Sequence, residues 1–112
     1  MASPSVGRTA YGAAFMKAME AFVRPQQRLF DDTVTLQLLP PVARALLRAR
    51  PLRGALQRAL EQRVPGLYGG MVCRTRFIDD ALRAALPCDV VILGAGLDSR
   101  PYRMSELAST RV

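Results

Sequence analysis

The chain has 112 residues, a formal net charge of +7, 50% hydrophobic residues and 22% charged residues. That length fits one small domain and leaves no room for two independent cores. The apolar fraction is too high, and the charge too mixed, for a disordered tail.

No apolar run approaches the roughly 20 residues that a membrane-spanning helix requires. The start, Met1-Ala2-Ser3-Pro4-Ser5, lacks the basic and apolar segments of a secretory signal. Two isolated cysteines, Cys73 and Cys88, in such a sequence read as reduced thiols of a cytoplasmic protein. The absence of histidine removes His-based zinc sites, Ser-His-Asp triads and Cys-His pairs together. Of the 16 basic residues only Lys17 is lysine. A basic total permits attraction to anionic ligands or nucleic acid without identifying one, and an arginine-rich bias also follows from a GC-rich genome.

Residues 1–8 are small and polar and read as frayed. From Thr9 a helical pattern begins, with Tyr11, Phe15, Met19, Phe22 and Val23 on one face. Arg24-Pro25 is expected to end it, because a residue before proline is pushed out of the helical region. Gln26 to Pro40 reads as a loop or short helical turn around the β-branched piece Thr33-Val34-Thr35. Pro40-Pro41 opens a second helix with Val42, Leu46 and Leu47 facing inward. Pro51 interrupts, and Leu52, Leu56 and Leu60 continue at a spacing of four among many arginines. Pro65-Gly66 and Gly69-Gly70 mark a loop. A third helical segment runs from about Met71 to Leu86, with Val72, Ile78, Leu82 and Leu86 on one face, and Pro87 stops it.

Asp89-Val90-Val91-Ile92-Leu93 then forms a continuous apolar run closed by Gly94-Ala95-Gly96. A run without alternation reads as a strand covered on both faces, so the fold class expected is α/β. Such a strand needs neighbours on both edges, because unpaired buried amides are costly. No other segment reads as a matching central strand, although Thr110-Arg111-Val112 could begin one. The strand is therefore expected either to pair with another chain or to belong to a longer α/β domain.

Two motifs could carry chemistry. A glycine turn at the carboxyl end of a parallel strand lets a ligand approach the backbone closely. Gly94-x-Gly96 is such a turn, but Ser99 stands where a dinucleotide fingerprint wants its third glycine, which argues against NAD or FAD. Spacing alone leaves a ligand loop and a bare left-handed turn equally open. The second motif is Arg74-Thr75-Arg76-Phe77-Ile78-Asp79-Asp80. A guanidinium there could clamp a carboxylate with two hydrogen bonds. The competing reading, favoured by the motif alone, pairs its arginines with Asp79, Asp80 or solvent.

The block Arg74 to Leu82, followed by Val90 to Arg103, closely resembles the leucine carboxyl methyltransferase-like family of S-adenosylmethionine-dependent O-methyltransferases. Arg8-Thr9-Ala10 and Leu29-Phe30-Asp31-Asp32 also look like its N-terminal region, whereas Pro40 to Val64 is not diagnostic. The resemblance implies a class I, Rossmann-like methyltransferase domain. Residues 1–70 would be an N-terminal helical cap. Residues 71–112 would start the S-adenosyl-L-methionine-binding domain with its first strand and glycine loop, apparently truncated. By position, Gly94, Ala95 and Gly96 would pass under the cofactor's methionine part. Arg74 would grip its carboxylate, with Arg76 as the alternative, and Asp98 would shape the loop without a catalytic role. Thr33 and Pro101 depart from the usual family residues, which are proline and alanine. No catalytic residue and no metal ligand is assigned. The family's acidic ribose ligand, on the next strand, has no counterpart here.

A methyltransferase of this kind would take a small-molecule acceptor through a carboxylate or hydroxyl, with no membrane partner and no nucleic acid. The chain alone is expected neither to bind the cofactor tightly nor to methylate, and to self-associate through an unpaired strand edge at Val90 to Leu93. The competing functions are a small Arg-rich module binding nucleic acid or protein, and an inactive remnant. Against the module, Arg44 and Arg48 share a face from which Arg50 and Arg53 turn away, and no aromatic platform is interleaved.

Overall fold

A computed structural model describes the backbone of residues 4–112, and the side chains from residue 10 onward. Fraying expected at residues 1–3 lies outside the described residues, whereas residues 4–8 already belong to the first helix. Helix α1 spans Pro4–Met19 and tightens into a 3-10 turn at Glu20–Phe22. It leaves the helical region at Val23, before the Arg24-Pro25 stop that the sequence suggested.

Helix α2, Thr33–Leu38, takes the helical of the two alternatives left open for Gln26 to Pro40. Its β-branched start is overruled by a cap, since the Asp32 side chain accepts the Thr35 backbone N–H at 3.0 Å. Helices α3, Pro41–Arg48, and α4, Arg50–Arg63, each carry proline in the first turn and meet at an extended Ala49. The Arg53 guanidinium closes that corner: Nη1 donates to the Leu47 carbonyl at 2.6 Å, and the group lies 4.5 Å over the Phe22 ring. Leu47 is fully buried as expected, but Val42 is 80% exposed and α4 buries none of its residues completely.

Helix α5 spans Leu67–Ala85. It begins after Gly66 at φ 79°, so Gly69 and Gly70 lie inside the helix rather than in a loop. It stops before Pro87, where the sequence placed its end. Its buried stripe is Val72, Thr75 and Asp79, spaced three and four residues apart. A short helix α6, Arg100–Arg103, and a 3-10 turn at Ser105–Leu107 complete the described elements.

The core gathers on α1, where Ala14, Ala18 and Met19 meet Leu39 and Leu47. Small residues on α1 let its neighbours approach closely. A second fastening joins the end of α1 to α5. Buried Glu20 accepts the Tyr68 hydroxyl at 2.8 Å and the Leu29 backbone N–H at 2.7 Å. Burial, and then the hydrogen bond to Glu20, push the Tyr68 phenol well above its ordinary range.

The expected strand is the main correction to the sequence reading. Among the described residues there is no β-strand, so the α/β class is not realised and the architecture is helical. The segment from Val90 is irregular and turns at Leu93-Gly94, with the Val90 N–H bonded to the Arg111 carbonyl at 2.9 Å. One rung does not make a ladder. Val91 is 79% exposed and Leu93 is 89% exposed, so the residues expected at the centre of a sheet face solvent. The radius of gyration, 14.7 Å, exceeds the roughly 13 Å expected of a compact domain of this length.

Candidate functional site

A cavity of about 280 Å³ opens between α1, α5 and the loop at Gly94–Asp98. Helix α1 contributes Ala10, Ala13, Ala14 and Lys17, and α5 contributes Met71, Arg74, Thr75 and Ile78. The floor is Gly94-Ala95-Gly96, continued by Leu97 and Asp98. Gly94 at φ 60° and Gly96 at φ 51° occupy the left-handed region, which a side chain would strain. A Cβ at Gly94 would meet nothing within 4 Å. Conformation rather than crowding therefore calls for glycine at that position. Ala95, Gly96, Leu97 and Asp98 also line a second, more apolar cavity of about 460 Å³, facing Val34, Leu38, Ile92, Pro101 and Tyr102.

Of the residues singled out in the sequence, Arg74, Gly94, Ala95, Gly96 and Asp98 thus surround one cavity. Arg76 does not line it. Its guanidinium donates from Nε to Asp80 at 2.7 Å and from Nη1 to the Leu29 carbonyl at 2.8 Å. Hydrogen bonding from Arg76, reinforced by Arg83, holds the Asp80 carboxyl below its ordinary range. Asp98 is occupied too. One of its oxygens accepts the Arg100 backbone N–H at 2.9 Å, and the other accepts Arg100 Nη1. It caps the turn into α6 and so shapes the loop.

Sequence reasoning missed what holds this loop in place. Asp79, fully buried on α5, accepts Arg100 Nε at 2.8 Å and Arg103 Nη2 at 2.9 Å. Asp32, also fully buried, accepts the Thr35 hydroxyl at 2.7 Å and the Ser99 hydroxyl at 2.8 Å. Arg103 stacks over Phe30 at 5.2 Å and donates to Ser99 Oγ at 3.2 Å. Two acids and two arginines therefore pin α6 to α5 and to the start of α2. Lys17 was likewise not singled out. Burial lowers its pKa below 10.5, Asp32 and Asp98 offset that shift, and Arg100 and Arg103 reinforce it.

Cys73 and Cys88 are both free and exposed. Among the described residues no cluster of His, Cys, Asp or Glu could hold a metal ion, and no helix is long and apolar enough to cross a membrane.

The sequence model of the leucine carboxyl methyltransferase family matches residues 10–112. The chain belongs to that family. A protein of Parafrankia sp. (strain EAN1pec) is 39% identical over 113 residues, covering 98% of this chain and 35% of its own length. One from Frankia alni is 36% identical over 121 residues, covering 96% and 37% respectively. One from Mycobacterium ulcerans is 37% identical over 124 residues, covering 96% and 36%. All three carry the name of candidate S-adenosyl-L-methionine-dependent methyltransferases. The chain spans about a third of the length of these curated relatives. No solved structure matches it. The family match covers both the glycine loop and the Arg74 to Asp80 motif, of which Arg74, Thr75 and Ile78 line the same cavity as the loop.

Proposed function

We propose that this chain forms the methionine end of an S-adenosyl-L-methionine site in an O-methyltransferase acting on a carboxylate or hydroxyl of a small molecule. In this reading residues 1–70 are the helical cap and residues 71–112 begin the cofactor-binding domain. The observation that carries it is Arg74 lining the same cavity as Gly94-Ala95-Gly96.

The cavity suits the cofactor's amino-acid tail: a guanidinium for its carboxylate, and a glycine loop that admits close approach to the backbone. When bound, S-adenosylmethionine supplies a methyl group already activated by its sulfonium. What remains for the protein is alignment and the exclusion of water. Alanines 10, 13 and 14 on α1 form a low wall against which an extended ligand can lie. Asp98 and Arg100 neutralise each other and fix the loop rather than moving a proton.

The test is titration with S-adenosylhomocysteine, followed at the Gly94 and Gly96 amides by NMR. Both amides should shift, with affinity in the millimolar range. Arg74→Ala should weaken binding about tenfold or more, the worth of one charge-assisted hydrogen bond. Arg76→Ala should leave affinity nearly unchanged. Glycine amides that stay still at saturating millimolar ligand would refute the reading.

Self-association belongs to the same proposal. The exposed Val91 and Leu93 lie in an irregular segment that runs into the glycine turn, with unpaired backbone groups. Light scattering coupled to gel filtration should show dimers or larger species, and Leu93→Lys should shift them toward monomer. A wild-type chain that stays monomeric at high concentration would exclude it.

A further inference from the structure

We infer that the outer face of α4 is a docking surface for an acidic helix of a partner protein, packed across Gly54 with its carboxylates on Arg50 and Arg58. None of these three residues lines the glycine-loop cavity, and the inference does not depend on the cofactor reading.

The first observation is a charge imbalance. Helices α3 and α4 together carry six arginines and one glutamate, and so five of the chain's seven net positive charges. Among the described residues none of these six arginines forms an ion pair, whereas Arg28, Arg76, Arg83, Arg100, Arg103 and Arg111 all do. Arg53 is committed to the Leu47 carbonyl and the Phe22 ring. Glu61 turns away to accept the Gly66 backbone N–H at 3.0 Å. The other eight carboxylate side chains, from Glu20 to Glu106, also have donors or cations of their own within the chain. A second copy therefore has no spare acid for this face, and the complementary charge comes from a different partner.

The second observation is Gly54. Glycine is a poor helix former. Gly54 nevertheless sits in the interior of α4, without a positive φ, and a Cβ there would meet nothing within 4 Å. Neither backbone conformation nor packing within the chain calls for glycine. Its missing side chain opens a cavity of about 520 Å³ lined by Arg50, Pro51, Gly54 and Arg58. Arg50 and Arg58 stand one turn to either side of Gly54, about 12 Å apart along the axis and within about 80° of each other around it. A helix with its side chains is about 10–12 Å wide. A helix crossing at Gly54 can thus approach the α4 backbone closely, while acids on its two flanks meet the two guanidiniums.

Other polyanions fit this face less well. Residues 41–64 contain no aromatic side chain on which a nucleic-acid base could stack. A lipid surface takes apolar anchors beside the basic residues. Leu52, the exposed large apolar residue of α4, lies about 160° around the helix from Arg50.

The probe is a fluorescent, alanine-based helical peptide of about 20 residues, with glutamates on both flanks of an alanine stripe. Anisotropy at low ionic strength should show binding that weakens as salt is raised, and the Gly54 amide should shift in NMR spectra. The same peptide with glutamine for glutamate should not bind. Arg50→Gln and Arg58→Gln should each weaken binding about two- to fivefold, as expected of exposed charge pairs, and together about tenfold. Gly54→Leu should fill the notch and weaken binding about tenfold, yet melt at or above the wild-type temperature, since leucine favours the helix. Loss of binding in that variant reports the notch and not the fold. Equal binding by wild type and Gly54→Leu would overturn the inference, as would no binding of the acidic peptide at low salt. Tighter binding of duplex DNA, or of phosphatidylserine vesicles, than of the peptide at the same salt would also overturn it and assign the face to nucleic acid or to a membrane.

Discussion

Asp79→Ala is expected to destabilise the chain by about 3–5 kcal/mol, the usual consequence of removing one partner from a buried ion pair. Asp79 is fully buried, and the side chains of Arg100 and Arg103 are only 14% and 6% exposed. Truncation leaves two guanidiniums beside an emptied site, where water cannot solvate them well. A folded domain of this size has about 5–15 kcal/mol in total, so the loss is a large share of it. Thermal melting followed by circular dichroism should show a fall of ten degrees or more, in keeping with about 4–8 °C per kcal/mol. Asp79→Asn keeps an acceptor of the same shape and should fall between the two. Asp80→Ala, one residue along the helix, breaks only exposed pairs with Arg76 and Arg83 and should leave the melt unchanged. Equal melting of the Asp79 and Asp80 alanine variants would disprove the buried hub.

That hub also marks the limit of what the sequence discloses. The glycine loop is legible because its cause is local: Gly94 and Gly96 take positive φ angles, which the glycine-rich spacing advertises. The stop of α5 at Pro87 is legible for the same reason. Asp79, by contrast, reads from sequence as one more surface partner for nearby arginines. Its actual partners lie 21 and 24 residues away. Apolar periodicity picked Val72, Ile78, Leu82 and Leu86 as one face of the helix, and of these Val72 is buried. From Val72 the buried stripe continues through Thr75 and Asp79, both polar, and not through Ile78 and Leu82. A buried face built from an acid cannot be found by counting hydrophobic residues. The apolar run at Val90 to Leu93 misled in the opposite direction. Its composition suits a covered strand, but composition supplies no neighbour, and within the described residues one backbone bond to Arg111 takes the place of a sheet.

Asp32→Ala should cost about 2–4 kcal/mol and should loosen the cavity floor as well. The carboxylate serves three donors: the Thr35 N–H, the Thr35 hydroxyl and the Ser99 hydroxyl. Loss of the helix cap alone is worth about 1 kcal/mol. Thr35 and Ser99 are 0% and 1% exposed, so their hydroxyls lose their acceptor out of reach of water, at roughly 1–3 kcal/mol more. Arg103, 3.8 Å from the same carboxylate, loses a neighbouring charge. Asp32→Asn retains an acceptor for the cap and should recover most of the stability, while leaving Arg103 to Asp79 alone. The effect on the site follows from Ser99, which joins the glycine loop to α6 and is tied by Asp32 to the start of α2. Without that tie, the Gly94 and Gly96 amides should exchange with solvent faster relative to those of α1 in the same sample. Uniform acceleration across both regions would instead mean that Asp32 supports the helical core as a whole and has no particular hold on the loop.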